Sequence, residues 1–326
     1  MRVAVVGIGA MGCLFGAKLS QVAEVTLVGN WPAQLAALRE RGLRLIQPDG
    51  RSQIIQLPVS NNPETAAPAD LALILVKSHQ TRQAAETAQL LLAPNGVALT
   101  LQNGLGNLEQ LTAVLGQTRA NLGITSEGAA LLEPGVVRHA GTGHTYIAAS
   151  QETAVPPQEI VALFQAAGFP TSLAADTAGL VWGKLAINAG INPLTAVLQV
   201  PNGFLAENEA ARRLMQQAAE EVAHVAAAQN IRLPFNDAAD QALTVAQATA
   251  ANHSSMRQDL ANGRPTEIEA ICGAVVQYGR RFGVPTPVNS VLQTAVQQAE
   301  QGTWPEASTP EASLQLLTQK IEQFHN

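Results

Sequence analysis

Along the first half of the chain, short apolar runs alternate with segments whose apolar residues recur every three or four positions. "RVAVVG" predicts a buried strand, and "AMGCLFGAKLSQ" directly after it predicts a helix. The alternation continues through "EVTLVG" as a strand, "PAQLAALRERG" as a helix stopped by glycine, "DLALILVK" as a strand and "QTRQAAETAQLLL" as a helix. "GVALTLQNG" then reads as a strand and "NLEQLTAVL" as a helix. "LRLIQ" and "SQIIQLPV" resemble a hairpin-like insertion, and short strands are predicted near "ANLGITSEGA", "GVVRHAG" and "TYIAAS". Near-continuous apolar strands separated by helices predict a parallel, doubly wound sheet with both faces covered.

The second half reads differently. After the helix "QEIVALFQAAGF" and the segment "PTSLAAD", no convincing strand occurs beyond about Thr177. Alanine- and glutamine-rich segments at 178–191, 207–229, 236–250, 265–282, 287–300 and 311–324 carry apolar residues at helical period. The change of pattern near 170–177 predicts an α/β domain over 1–174 and an all-α domain over 175–326.

Composition agrees with this division. A chain of 326 residues suits about two domains, and 47% apolar with 13% charged residues describes a well-buried globular protein. The net charge of −6, with no run of lysine or arginine, argues against nucleic acid and anionic membrane as partners. The longest purely apolar run, "LALILV", is far too short to span a bilayer. Cys13 and Cys272 are far apart and form no CxxC or zinc spacing, so they read as two free thiols in a reducing, cytoplasmic compartment. "MRVAVVGIGAMGC" imitates a lipoprotein signal, but its basic region is a single arginine and its glycine spacing has a better explanation.

That explanation is a phosphate-binding turn. "VVGIGAMG" puts Gly7, Gly9 and Gly12 directly after a strand and at the start of a helix. The first glycine allows the tight turn, the second lets backbone approach a pyrophosphate, and the third lets helix and strand pack closely. The turn Gly7, Ile8, Gly9, Ala10, Met11 and Gly12 is therefore the predicted dinucleotide site, with the phosphates at the helix N-terminus. An NAD-preferring site usually ends its second strand on Asp or Glu; here the strand ends "LVGNW". Asn30 can donate a hydrogen bond to a 2′-phosphate, or it can be a plain turn residue.

Other polar residues stand out against apolar surroundings. Lys77 ends "DLALILVK" and Asn103 ends "GVALTLQN", both at carboxyl ends of strands, where open parallel sheets bind ligands. Each could equally be a solvated loop residue. Lys184, Asn188 and Asn192 recur at intervals of four in "LVWGKLAINAGINPLTAV", on one helix face that drifts by about 40° per step. A buried ammonium needs a partner; the alternative is a lysine whose stem packs while its head reaches solvent. Asn192 precedes Pro193 and is expected to mark the helix end. Pro265 suits a first helical position, which would put Glu267 in a first turn, complementing the helix dipole. Ser255 by default is a solvated residue near a helix break. No metal-ligand spacing, GxSxG elbow or Walker loop is present.

Taken together, "GIGAMG", "VKSHQT" (76–81), "QNGLGN" (102–107), "WGKLAINAGINPLTA" (182–196), "PNG" (201–203), "SSMRQD" (254–259) and "RPTEIEAICG" (264–273) resemble the ketopantoate reductase family along the whole chain. The resemblance implies a Rossmann-type domain followed by helices of the 6-phosphogluconate-dehydrogenase-like kind. It implies an oxidoreductase that uses NADPH to reduce 2-dehydropantoate to pantoate, a step toward pantothenate and coenzyme A. By position, it makes Lys184 the general acid and Asn188, Asn192, Asn202 and Ser255 substrate-pocket residues. It places Lys77, Asn103, the backbone of Ala129, and Glu267 at the cofactor; Asn103 also faces substrate. Several members hold the 2′-phosphate with an arginine near the position of Asn30, and this sequence has none there. Two alternatives stay open: a dehydrogenase of another small 2-keto or 3-hydroxy acid, and a non-catalytic sensor of the NADP redox state. A homodimer stands beside the monomer as an open assembly.

Overall fold

The computed structural model describes residues 1–149, 153–305 and 309–324. The chain divides into two compact units: Met1–Gln102 with Gly106–Thr177, and Asn103–Leu105 with Ala178–Asn326.

The first unit alternates as its pattern requires. In order it runs β1 (Arg2–Val6), α1 (Ala10–Leu19), β2 (Glu24–Val28), α2 (Pro32–Arg41), β3 (Leu43–Ile46), β4 (Ser52–Ile55), β5 (Val59–Ser60), β6 (Ala69–Ile74), α3 (Thr81–Leu91), β7 (Leu92–Thr100) and α4 (Asn107–Leu115). Then follow β8 (Ala120–Thr125), β9 (Gly128–Glu133), β10 (Val136–Gly141), β11 (Thr145–Ala148), α5 (Pro157–Ala166) and β12 (Thr171–Ala174). Ser150, at the end of the expected strand "TYIAAS", lies outside the described residues.

Eight strands form one sheet in the order β12-β11-β8-β7-β6-β1-β2-β5. The run from β5 to β8 is parallel throughout, and only the β8–β11 pairing is antiparallel. The apolar continuity of these strands has a direct cause: both faces are covered. One face buries Leu14, Phe15, Leu27, Leu73 and Leu99. The other buries Ala4, Val6, Ala72, Ile74 and Leu91. Phe15 stacks on Phe169 with ring centroids 4.3 Å apart.

The expected insertion is there, since β3 and β4 pair antiparallel from Leu43↔Ile55 to Ile46↔Ser52. It is not a separate hairpin. It joins β10 and β9 in a second sheet of order β4-β3-β10-β9. Sequence periodicity cannot show this, because the β3–β10 pairing joins residues about ninety positions apart.

The second unit contains α6 (Thr177–Leu198), α7 (Asn202–Glu207), α8 (Glu209–Ala227), α9 (Ala238–Ala248), α10 (Ser255–Ala261), α11 (Ala274–Phe282), α12 (Pro287–Glu300) and α13 (Pro310–Glu322). Trp182, Leu185, Met215, Val222, Val275 and Leu292 share its core. No helix among the described residues is long and apolar enough to cross a membrane.

Two local expectations are corrected. Asn192 does not end a helix: α6 continues through Pro193 to Leu198. A proline in a helix interior costs about 3 kcal/mol, but Ala189 through Leu198 are all buried, and the burial of this apolar turn outweighs the lost bond. The Thr195 hydroxyl also donates to the carbonyls of Ile191 and Asn192, at 2.9 and 3.0 Å. Glu267 likewise does not lie in the first turn of an α-helix begun by Pro265. A π-helical turn spans Glu269–Gly273 and leads into α11. Thr266 is held from outside, its N–H donating to Glu300 at 2.6 Å, and its hydroxyl accepts from the Ile268 N–H at 3.2 Å.

Candidate active site

The glycine turn is built largely from backbone. Gly7 has φ +113°, and a side chain there would meet the Leu75 carbonyl at 2.7 Å. Its N–H donates to the Val28 carbonyl at 2.9 Å, which fixes the turn against β2. At Gly9 a Cβ would meet nothing within 4 Å, so the turn opens outward at the residue whose backbone should approach a phosphate. Gly9 caps α1 without any side-chain hydrogen bond, and the first turn carries no acidic residue. N–H groups at such an uncapped helix start suit an anion. A pyrophosphate therefore fits Gly7–Gly12, and Ile8, Ala10 and Met11 contribute backbone to the same turn.

Asn30 is exposed two residues beyond β2. Beside it Trp31, at 39% exposure, precedes α2. Sequence reasoning passed over this indole, although it directly follows Asn30 in "LVGNW". The two nearest following arginines turn elsewhere: Arg39 donates to the Asn61 side chain at 3.4 Å and Arg41 to the Pro134 carbonyl at 3.2 Å.

Lys77 follows β6 and opens a short 3-10 turn. The loop around it is tied to the end of β7 by Gln102, whose amide donates to the Val76 carbonyl and the Thr81 hydroxyl, both at 2.9 Å. Ala129 lies in β9 opposite His139. A buried hydrogen bond stands at that point: His139 Nε2 is 2.6 Å from Glu127 Oε2.

In the second unit, three elements separated in sequence converge. Lys184 is half-buried on α6. Burial lowers its ammonium pKa from 10.5 to about 8, and the Glu267 carboxylate acts in the opposite direction. Glu267 is itself buried, and its Oε2 accepts from Asn103 Nδ2 at 3.1 Å. Asn103 reaches that position because its own segment docks on the π turn. The Leu105 N–H donates to the Ala270 carbonyl at 2.9 Å. At Gly104, with φ +81°, a Cβ would stand only 2.4 Å from that same carbonyl oxygen. An ammonium, a carboxylate and an amide are thus assembled around one place.

The remaining predicted residues lie on α6, α7 and α10. Asn192, 9% exposed, lies two turns beyond Lys184 on α6, with Asn188 half-buried between them. Asn202 opens α7; its N–H donates to the Asn252 carbonyl at 3.0 Å and its amide to the Thr249 hydroxyl at 2.9 Å. Ser255 is the exposed first residue of α10. Its neighbour Ser254 is buried, and its Oγ lies within hydrogen-bond distance of Thr195 Oγ1 at 2.7 Å, which joins the start of α10 to the last turn of α6. Among the described residues, no group of three or more His, Cys, Asp or Glu could hold a metal ion.

Comparison with known proteins gives a consistent result. The family described as "Ketopantoate reductase PanE/ApbA" matches residues 3–152, and "Ketopantoate reductase PanE/ApbA C terminal" matches 176–300. The chain is similar to a 2-dehydropantoate 2-reductase of Halobacterium salinarum, at 39% identity over 92% of this chain and 99% of that one. Among solved structures it is similar to a PanE/ApbA family ketopantoate reductase from Ralstonia eutropha JMP134, with TM-score 0.85 and 33% identity, covering 93% and 99% of the two chains. It is also similar to a D-mandelate dehydrogenase solved with NADH and anilino(oxo)acetate, with TM-score 0.86 and 25% identity, covering 93% and 99%.

Proposed function

The chain belongs to the ketopantoate reductase family, and from that premise we propose that it is an NADPH-dependent 2-dehydropantoate 2-reductase with Lys184 as its general acid. The observation that carries this reading is the grouping of Lys184, Glu267 and Asn103 in one unit. Its support is both geometric and electrostatic: a lysine whose pKa burial has brought to about 8 can donate a proton near neutral pH, which an ordinary lysine does poorly.

NADPH, when bound, supplies the hydride to the ketone carbon. As negative charge builds on the ketone oxygen, the Lys184 ammonium hydrogen-bonds it and then donates the proton that completes the alcohol. Glu267 keeps that ammonium charged before the reaction, and Asn103 holds the Glu267 carboxylate in place. Asn188, Asn192, Asn202 and Ser255 orient a small polar acid without adding charge. Gly7–Gly12 hold the pyrophosphate through backbone N–H groups, and Trp31 offers a flat face to an adenine ring. Lys77 and the backbone of Ala129 complete the cofactor contacts. NADPH is favoured over NADH because no carboxylate follows β2 to repel a 2′-phosphate. The preference is modest, since Asn30 offers a neutral hydrogen bond where an arginine would offer a charged one. Cys13 and Cys272 are both free and buried, which suits the reducing cytoplasm where we place the enzyme.

The test is oxidation of NADPH, followed by its absorbance, on addition of 2-dehydropantoate, and repeated with NADH. Turnover with NADPH is expected. Binding of NADPH without turnover of any 2-keto acid would replace this reading with a redox sensor. Turnover of an aromatic 2-keto acid in place of 2-dehydropantoate would move the chain toward the D-mandelate dehydrogenase side of its structural relatives.

A further inference from the structure

Gln34 has no part in the reading above. It lies in the first turn of α2 and is fully buried, at 0% exposure, among Leu35, Ala37 and Leu38 of the same helix. A glutamine amide is seldom taken fully out of water, and where it is, its polar atoms find hydrogen-bond partners. Both atoms do so here. Gln34 Oε1 accepts from the Gly135 N–H at 2.9 Å, and Nε2 donates to Cys13 Sγ at 3.2 Å. Gly135 belongs to the turn between β9 and β10, which is held from two further sides. Arg41 donates to the Pro134 carbonyl at 3.2 Å, and the Gly135 carbonyl accepts from the Arg44 N–H at 2.8 Å. The second sheet therefore fixes the Gln34 amide in one orientation, with its NH2 group toward Cys13.

Beyond Cys13 lies the glycine turn. Cys13 is buried on α1, and its Sγ donates to the Ile8 carbonyl at 3.4 Å. Burial pushes the thiol up to about 12, with the Gln34 amide acting in the opposite direction, so the sulfur keeps its proton and can donate it. Gln34 approaches the sulfur as a donor, which leaves the S–H to turn toward Ile8. The Ile8–Gly9 peptide is planar and trans, so its C=O and N–H point in opposite directions. A carbonyl drawn inward to Cys13 turns the Gly9 N–H away from the core. Gly9 is also the residue at which a Cβ would meet nothing within 4 Å. A relay thus runs from Gly135 through Gln34 and Cys13 to Ile8, and it sets the direction of one backbone donor of the turn.

We infer that Gln34 and Cys13 are positioning residues that aim the Gly9 N–H at the pyrophosphate of the cofactor, and that the second sheet takes part in cofactor binding through them. The inference rests on the proposed function, which puts a nicotinamide dinucleotide on the Gly7–Gly12 turn. Neither side chain touches the cofactor. A thiol is a weak donor, but the bond it directs, from a backbone N–H to a charged phosphate, is of the stronger kind.

The test compares wild type with Cys13→Ala, Cys13→Ser and Gln34→Leu. Calorimetry measures binding of NADPH and, as a ligand without a pyrophosphate, of adenosine 2′-phosphate; turnover is followed by NADPH oxidation. Cys13→Ala, which removes only the sulfur, should raise Kd for NADPH about 3- to 10-fold, the range of one lost hydrogen bond. Its Kd for adenosine 2′-phosphate, its KM for 2-dehydropantoate and its kcat at saturating NADPH should stay within about 2-fold of wild type. Cys13→Ser keeps a donor and should bind NADPH more tightly than Cys13→Ala does. Gln34→Leu should weaken NADPH at least as much as Cys13→Ala, and the double variant should lose less than the two single losses combined, because both act along one relay. Unchanged NADPH affinity in Cys13→Ala overturns the inference while leaving the reductase reading intact. Equal weakening of both nucleotides, or fully additive losses, would assign the two side chains to packing alone and also overturn it. Gln34→Leu leaves the buried Gly135 N–H unpaired and should melt at a lower temperature; if it does not fold, Cys13→Ala against Cys13→Ser decides. A wild type that binds neither NADPH nor NADH overturns the inference and the reductase reading together.

Discussion

The two units prepare for ligands by different means. Under the proposed function the first would work mainly through backbone: Gly7 has no room for a side chain, and N–H groups at the uncapped start of α1 would be the donors. The second works through side chains placed where their charge is costly, with Lys184 half-buried and Glu267 buried beside it. A backbone site can be maintained at little cost to stability, whereas a buried ammonium destabilises the protein that holds it unless its partners stay in place. The lesson is that substitutions in the two units should fail differently, in affinity for the first and in chemistry for the second.

The largest expected effect breaks the second unit. Lys184→Ala should lower kcat/KM for 2-dehydropantoate by roughly 10²–10⁴, the usual worth of a positioned acid, with NADPH affinity little changed. Steady-state kinetics beside a fluorescence titration of NADPH checks both halves, and a variant that keeps most of its activity removes Lys184 from its role. Lys184→Arg should not rescue it, because a guanidinium differs in shape and holds its proton too tightly.

The first unit should break through binding. Gly7→Ala forces a side chain into a positive-φ position against the Leu75 carbonyl. Strain of this kind costs on the order of 1–3 kcal/mol, so NADPH affinity should fall roughly 10- to 100-fold. Saturating cofactor should recover most of kcat; a lost kcat at saturation would mean that the turn does more than bind.

Glu267→Gln sharpens the comparison. Its negative charge favours the Lys184 ammonium, so its removal should move the basic limb of the kcat–pH profile below about pH 8. If Glu267 served only its own turn, the change would cost about 0.3–1 kcal/mol of stability and leave the profile in place. Thermal unfolding measured alongside the pH profile separates these outcomes.

Smaller effects are expected at the ribose position. Asn30→Asp should shift preference toward NADH and Asn30→Arg toward NADPH, each by about tenfold, as one charge-assisted bond allows. Equal cofactor ratios in all three proteins would show that the 2′-phosphate is read elsewhere.

The last effect falls on stability alone: a pH dependence of the ligand-free protein. The folded-state pKa of Lys184 is about 8 against 10.5 unfolded. Between those values the unfolded chain binds more protons, so stability should rise with pH from about 8 to 10.5. Below pH 8 both states hold the proton, and this contribution is flat. Lys184→Met should abolish the rise, and denaturant titrations across that range would detect it.

The sequence disclosed the two units unequally, for the same physical reason. Strands covered on both faces leave continuous apolar runs, and a tight strand-to-helix turn needs glycines at fixed spacing, so β1, α1 and the turn between them were legible. Lys184, Asn188 and Asn192 were visible as polar residues in an apolar helix. What sequence could not show depends on distant partners. The second sheet needs β3 to find β10, the path of α6 through Pro193 depends on the burial around it, and the π turn at Glu269–Gly273 is not a periodicity that apolar spacing reports. Asn103 was marked by its motif, but its bond to Glu267 joins residues 164 positions apart.

The assignment of Asn103–Leu105 to the helical unit bears on how the protein can be taken apart. Cutting the chain after Thr177 would separate most of the two units, yet the C-terminal fragment would lack the amide that donates to Glu267 and the N–H that fills the Ala270 carbonyl. The chain is therefore not a pair of modules joined end to end. Transplanting either unit onto a foreign partner would require carrying three residues from the middle of the other, and domain-swapped chimaeras should work only when "NGL" travels with the helices it serves.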